Sequence, residues 1–241
     1  MTQPQTPPGW YQADGDPAGT QRYWDGTQWV GGPQVVAAAP AVPAAPYASP
    51  TTGGYPIRVE IDPAATQSRL TVFFRILMVI PHLIVLALIV IALEMVTIIA
   101  WFAILIIGRF PAGMYNFSYG VQRWALRVNG YLRLLTGVYP PFTMDPVDSY
   151  PIRLRIDPKL DGRNRLTTFF RIFMIIPHAI VLYLLNIAVQ VVMLIAWIVA
   201  LFSGSVPAGL HTFMGGYTRW SSRVGAYALL MTDEYPPFSL E

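Results

Sequence analysis

A block of about ninety residues occurs twice in this chain, and no other feature limits the fold as strongly. The first copy runs from Tyr55, in YPIRVEIDP, to the YPPF that ends at Phe142. The second runs from Tyr150, in YPIRLRIDP, to the YPPF that ends at Phe238. Between those marks the elements RL, FFR, PH, AW, G..PAG and RW..RV..Y recur in the same order. The chain divides at residues 1–32, an aromatic β module; 33–54, a linker rich in Pro and Ala; 55–145, the first repeat; and 146–241, the second.

Each repeat carries an apolar run of about thirty-seven residues, Leu70 to Ile107 and Leu166 to Phe202. Charged residues make up 12% of the chain and hydrophobic residues 54%, which places it with integral membrane proteins rather than soluble domains. One crossing needs roughly twenty residues, so each run is too long for one upright helix and long enough for two short ones. Arg58, Arg69 and Arg75 precede the first run, and Arg109, Arg123, Arg127 and Arg133 follow it; Arg165, Arg171, Arg219 and Arg223 frame the second in the same way. A transmembrane helical hairpin keeps both basic flanks of a repeat on the cytoplasmic side, as the positive-inside tendency requires. Its turn is expected near Glu94 and near Asn186 to Gln190, where a carboxylate at the far interface costs little. The alternative is a kinked single span, with a break at Pro81 or Pro177 and a long tilted helix beyond it.

Before each run the sequence alternates with period two. Ile57, Val59 and Ile61 face one way and Ile152, Leu154 and Ile156 match them, so each segment reads as a half-buried strand, and the two copies are expected to pair as a ribbon at the membrane surface. After each run, turn residues lead into a helical stripe of Met114, Phe117, Val121, Trp124, Val128, Tyr131 and Leu135. Leu210, Phe213, Tyr217, Trp220, Val224, Tyr227 and Met231 form its counterpart. Arg123, Arg127, Arg219 and Arg223 fall off that stripe, which predicts an amphipathic helix in the head-group plane. The predicted fold is therefore mainly α and membrane-integral. It has two tandem repeats, each a strand, a helical hairpin and an interfacial helix, behind a small N-terminal β-hairpin module.

That module is PPGWYQADGDPAGTQRYWDGTQWV, in which Asp25-Gly26 between aromatic runs predicts a two-residue hairpin turn. Trp10, Tyr23, Trp24 and Trp29 are expected to cluster with Pro8, filling their own small core or docking a protein partner such as a proline-rich peptide. Met1 to Pro8 shows no cleavable signal. The pattern PGWY..D.......RYWDG..W, from Pro8 to Trp29 with Asp14 as its first acid, resembles the WW-like module called domain of unknown function 2510, which implies a cytoplasmic module on an actinobacterial membrane protein and brings no catalytic residues. The elements RL..FFRI....PH, GR.PAG, RW..R..GY and YPPF resemble the membrane family called domain of unknown function 4389, in tandem over about three quarters of the chain. Arg109 becomes Ser205 and Glu94 becomes Gln190 in the second copy.

Candidate sites follow. Arg75, Arg171, Arg123, Arg127, Arg219 and Arg223 are candidates for gripping head groups of anionic lipids. His82, His178, Glu94 and Gln190 are intramembrane polar candidates; for the two histidines the plain reading is a neutral ring bonded to carbonyls that the adjacent proline frees. Without cysteine, and without HExxH or a nucleotide-binding glycine loop, no metal, cofactor or enzymatic activity is expected. Nor is nucleic acid, because the cations flank apolar runs. The expected function is a non-enzymatic adaptor or accessory subunit in the cell membrane, its N-terminus cytoplasmic, with lipids and a membrane or cytoplasmic protein as partners. A small transporter or channel component using Glu94, His82 and His178 is the alternative.

Overall fold

The computed structural model describes residues 8–17, 20–35 and 54–241, and the chain divides into two compact units, 1–54 and 55–241. Residues 1–7, 18–19 and most of the expected linker lie outside the described residues.

The N-terminal unit is a three-stranded antiparallel sheet, β1 (Gly9–Tyr11), β2 (Thr20–Trp24) and β3 (Trp29–Val35), in that spatial order. β3 carries the module three residues past its expected limit at residue 32. Trp24 pairs with Trp29, so the loop between β2 and β3 is Asp25 to Gln28 rather than a two-residue turn. The Asp25 carboxylate decides this: its Oδ1 accepts from the N–H groups of Thr27 and Gln28, both at 2.7 Å, and from the Thr27 hydroxyl at 2.8 Å. Those bonds hold its carboxyl below the usual carboxylate range. Gly26 supplies the positive φ of 100° that the loop needs.

In the second unit both repeats share one core. The expected ribbon forms: β4 (Ile57–Ile61) runs antiparallel to β5 (Ile152–Ile156), with Val59 opposite Leu154 at its centre. Ile57, Val59, Ile152, Leu154 and Ile156 point inward, while Arg153 on the other face bonds Glu60 at 2.8 Å and Asp62 at 2.7 Å.

The apolar runs differ from expectation. Each is one uninterrupted helix of 39 residues, α1 (Arg69–Ile107) and α3 (Arg165–Ser203), with no hairpin turn and no break at Pro81 or Pro177. The reason is local. Around Glu94 the sequence is ALEMV, and from Asn186 to Gln190 it is NIAVQ; neither offers a glycine or proline, so nothing there ends a helix. The stops come at Gly108 and Gly204, both left-handed at φ of 70° and 76°, followed by Pro111 and Pro207.

The helices that follow are α2 (Ala112–Leu132) and α4 (Ala208–Ala228). They are core helices, not interfacial ones. Trp124, Val128 and Tyr131 of the expected stripe are buried against α1, but Tyr115, Val121, Leu126, Arg127 and Gly130 are buried too. The other side of α2 is covered by β5, and α4 is covered by β4, so each strand packs on the helix of the opposite repeat. Gly130 permits that approach, since a Cβ there would lie 2.2 Å from Ile152 Cδ1.

Reciprocal contacts fix the symmetry. The Trp101 indole donates to the Thr168 carbonyl at 3.0 Å, and the Trp197 indole to the Val72 carbonyl at the same distance. The N–H of Gln67 bonds the Gly204 carbonyl at 2.7 Å, and that of Arg163 bonds Gly108 at 3.0 Å. The long helices are therefore antiparallel, each N-terminus beside the other's C-terminus, about a pseudo-twofold axis through the ribbon's centre. Three layers result: ribbon, then α2 with α4, then α1 with α3.

Candidate functional site

Among the described residues, most of the exposed large apolar side chains lie on the outer face of the long-helix layer. On α1, Leu70, Phe73, Ile76, Leu77, Leu88, Ile91 and Ile106 are all more than half exposed, and α3 repeats the pattern with Leu166, Ile172, Phe173, Leu184 and Phe202. Only a stripe of Val72, Arg75, Val79, His82, Leu86, Leu93, Ala100 and Ile104 is turned inward on α1. Within its most apolar window, 22% of α1 is buried, and 17% of α3. At roughly 1 kcal/mol for each half-exposed large side chain, the two faces hold back a few tens of kcal/mol. That exceeds the 5–15 kcal/mol that holds a whole domain together, so the face requires a cover.

Most of the predicted polar residues lie elsewhere. Arg75 and Arg171 are 1% and 2% exposed, enclosed between a long helix and the end of its partner. Arg171 Nη1 donates to the carbonyls of Tyr227 and Thr232, each at 2.6 Å, and Arg75 Nη1 does the same to Tyr131 and Thr136. Those carbonyls are turned toward the guanidinium, outside the regular helical ladder, because α2 and α4 end with Leu134 and Leu230 in the left-handed region, at φ of 61° and 63°. Leu135 N–H then bonds Gly130 O, and Leu134 N–H bonds Tyr131 O, the two bonds of a Schellman ending with leucine where glycine is usual. The guanidinium also stacks on the ring one turn back, 4.2 Å from Tyr131 and 4.1 Å from Tyr227. Head-group binding by Arg75 and Arg171 is thus replaced by a clasp that fastens a helix end.

The clasps are not identical. Arg171 reaches Asp233 at 3.3 Å, which Arg163 also engages at 2.9 Å. Burial pushes the Asp233 carboxyl up, but hydrogen bonds from Arg163 and the Asn164 N–H outweigh it and hold it below the usual range. In the first repeat Gly137 and Gln67 stand at those places, and Arg75 Nη2 donates to the Gln67 side-chain oxygen instead.

The histidines and the YPPF tails form a second device. His82 Nδ1 accepts from the Trp124 indole at 3.2 Å while Phe142 stacks on the ring at 3.6 Å, and Tyr139 closes the side. His178, Trp220, Phe238 and Tyr235 repeat this, at 3.2 Å for the bond and 3.9 Å for the stack. An imidazole accepting at Nδ1 carries its proton on Nε2 and is neutral. Its partner is therefore the tryptophan of the next helix, not a carbonyl freed by proline. Near Pro81 the Met78 carbonyl receives the Tyr139 hydroxyl at 3.0 Å.

Arg127 and Arg223 are buried and bind the same tails. Arg127 donates to the carbonyls of Asp145, at 3.1 Å, and Thr143; Arg223 donates to Ser239 at 2.5 Å. Arg123 lies over the Tyr119 ring at 4.2 Å, and Arg219 Nε donates to the Val59 carbonyl at 3.3 Å. Glu94 and Gln190 are on exposed parts of their helices, Glu94 about 18 Å along α1 from His82. The histidines, each shut in its own aromatic cage, do not converge with Glu94. Among the described residues the exposed cations are Arg69, Arg109 and Arg165, at the helix ends, and Lys159 in the segment before α3. For those three arginines the position beside the apolar runs is the sequence signal; Arg75 and Arg171 drew attention for the same kind of position, in FFR, and Arg123, Arg127, Arg219 and Arg223 for their spacing on a helix.

In the N-terminal unit the aromatic residues form two pairs rather than one cluster. Trp10 meets Tyr23 edge to face at 5.5 Å, and Trp24 meets Trp29 at 5.1 Å. Tyr23 and Trp24 are neighbours on one strand, so they project from opposite faces of the sheet. Trp10 is 51% exposed and Trp29 40%. Pro8 approaches Gly26, where an added Cβ would lie 3.5 Å from its ring.

No curated protein and no solved structure matches the chain. Residues 8–46 match the family described as a protein of unknown function, DUF2510. Residues 69–144 and 165–239 each match the family described as a domain of unknown function, DUF4389. These two stretches make up more than half of the sequence, begin with the long helices and end on the caged YPPF tails; the chain belongs to the DUF4389 family, as a tandem duplicate.

Proposed function

We propose that this protein is a non-enzymatic adaptor of the cell membrane: the duplicated unit inserts through its long-helix face, and the N-terminal module displays Trp10 and Trp29 to a protein partner on the cytoplasmic side. The observation that carries this reading is the two-sidedness of the second unit, an uncovered apolar helix layer behind a charged ribbon. The internal polar groups support it, because the arginines and histidines expected to do work are spent on fastening helix ends and tails. The arrangement favours the adaptor over the transporter or channel, since Glu94, His82 and His178 do not face a common path.

Two measurements test it. Membranes from cells producing the full chain retain it after an alkaline carbonate wash, and an L88K/I91K variant, placing two ammonium groups on the exposed face, is released. Cross-linking followed by affinity capture of the full chain, compared with a W10A/W29A variant, shows a specific set of proteins lost in the variant at unchanged membrane retention. Retention of L88K/I91K, or identical capture by both chains, contradicts the proposal.

A further inference from the structure

We infer that α1 and α3 lie flat in a single leaflet, with the pseudo-twofold axis along the membrane normal and the ribbon in the water on the same side as all the helix ends. This rests on the membrane reading above and says how the unit is seated. The occupant of the apolar face is the acyl layer of one leaflet, not a second copy of the chain and not a surrounding annulus of lipid.

Length gives the first reason. A helix of 39 residues is about 58 Å long, while the hydrocarbon core is about 30 Å thick. To cross with its whole apolar length inside, each helix would tilt by about 60°, beyond the range of roughly 0–40° seen for crossing helices. Nothing in α1 or α3 divides the run into a crossing part and a polar extension, since Leu70 and Ile107 at the two ends of α1 are 68% and 61% exposed. Lying in the plane removes the length limit.

Symmetry gives the second reason, independently. The axis that exchanges the repeats passes between Val59 and Leu154 in the ribbon and between the midpoints of the antiparallel long helices. If those helices crossed the bilayer about its centre, the ribbon would sit at the same depth, in the middle of the hydrocarbon. Arg58, Glu60, Asp62, Arg153, Arg155 and Asp157 would then face acyl chains; the side chains of Arg58, Glu60 and Asp157 are 42%, 44% and 55% exposed. An Arg or Asp at that depth costs about 3 kcal/mol on the gentlest scale, and several are present. With the axis along the normal, the ribbon is the layer farthest from the lipid. The exposed arginines agree: Arg69 lies at one end of the helix pair and Arg109 with Arg165 at the other, and only the flat seating puts them all at one surface.

The chain has no cysteine, so single cysteines can be introduced at Thr66, Ser149, Asp161 and Leu88 without background. Thr66 and Asp161 mark the two ends of the helix pair, Ser149 borders the ribbon, and all three are exposed. Each variant is treated with a membrane-impermeant maleimide in sealed vesicles of both orientations, and Leu88→Cys is also labelled with bimane and exposed to lipids carrying a nitroxide on the acyl chain. The flat seating gives near-complete labelling of Thr66→Cys, Ser149→Cys and Asp161→Cys in the same vesicle orientation and background labelling in the other, with quenching at Leu88→Cys. Labelling of Thr66→Cys and Asp161→Cys from opposite sides overturns the seating while leaving membrane insertion intact. Free reaction of Leu88→Cys with the impermeant reagent, or recovery of the chain as a soluble dimer, overturns the membrane reading itself.

Discussion

Arg75 and Arg171 show how much of this unit depends on single side chains. Each closes a helix ending that is unfavourable alone, because a left-handed leucine costs about 1–2 kcal/mol and leaves carbonyls turned away from water. A lysine in place of arginine keeps the charge but lacks the fork that bridges two carbonyls and the flat face that stacks on tyrosine. Arg171→Met is expected to lower unfolding stability in detergent by about 3 kcal/mol, since it leaves Asp233 and two carbonyls under-satisfied in a closed site, and Arg171→Lys by less; circular dichroism melts would show both. Asp233 adds a pH dependence whose sign follows from its direction. Its carboxyl is held below the ordinary value of 3.8 in the folded state, so its contribution is fully present above that value and is lost as pH falls through the folded one. Melting temperature measured against pH should therefore fall on the acid side, with a smaller acid-side slope in Asp233→Asn and an already lower plateau near neutrality. None of this was legible in the sequence. The FFR arginines sit beside apolar runs as lipid-binding arginines do, and their carbonyl partners come from a chain reversal about sixty residues later.

At the scale of elements, period and pairing were readable and position relative to lipid was not. Strict alternation in IRVEI and IRLRI gave the strands, and the duplication gave their pairing, because a lone strand has no other partner in this chain. The apolar runs carried their length and composition openly, yet hydropathy does not distinguish a folded-back hairpin from an unbroken helix. The absence of a breaker at Glu94 and at Asn186 to Gln190 was the available signal, and Gly108 and Gly204 were the true stops. α2 and α4 misled for a related reason: their apolar stripe predicts a face turned to the head-group plane, but it faces α1 and α3, and the ribbon covers the side that looked free. Because each strand covers the helix of the other repeat, damage to the ribbon should spread to both halves. Leu154→Asp places a carboxylate in the buried centre of the ribbon; limited proteolysis is expected to cut within both repeats at once. Cleavage confined to one repeat would show that the ribbon does not couple them.

For the whole molecule, the layers sort the chain by polarity along one axis: charged ribbon, mixed helix pair, apolar helix pair. This ordering reconciles two sequence observations that the hairpin was meant to explain, basic flanks on one side and apolar runs too long for one crossing. A flat helix pair satisfies both without a turn, and it keeps the ribbon in water. Oriented circular dichroism of the full chain in aligned bilayers is the most direct measurement of that claim, since α1 and α3 hold most of the helical residues. The account predicts the spectrum of helices parallel to the membrane plane, with the 208 nm band retained at normal incidence; loss of that band, the mark of helices along the normal, would contradict it.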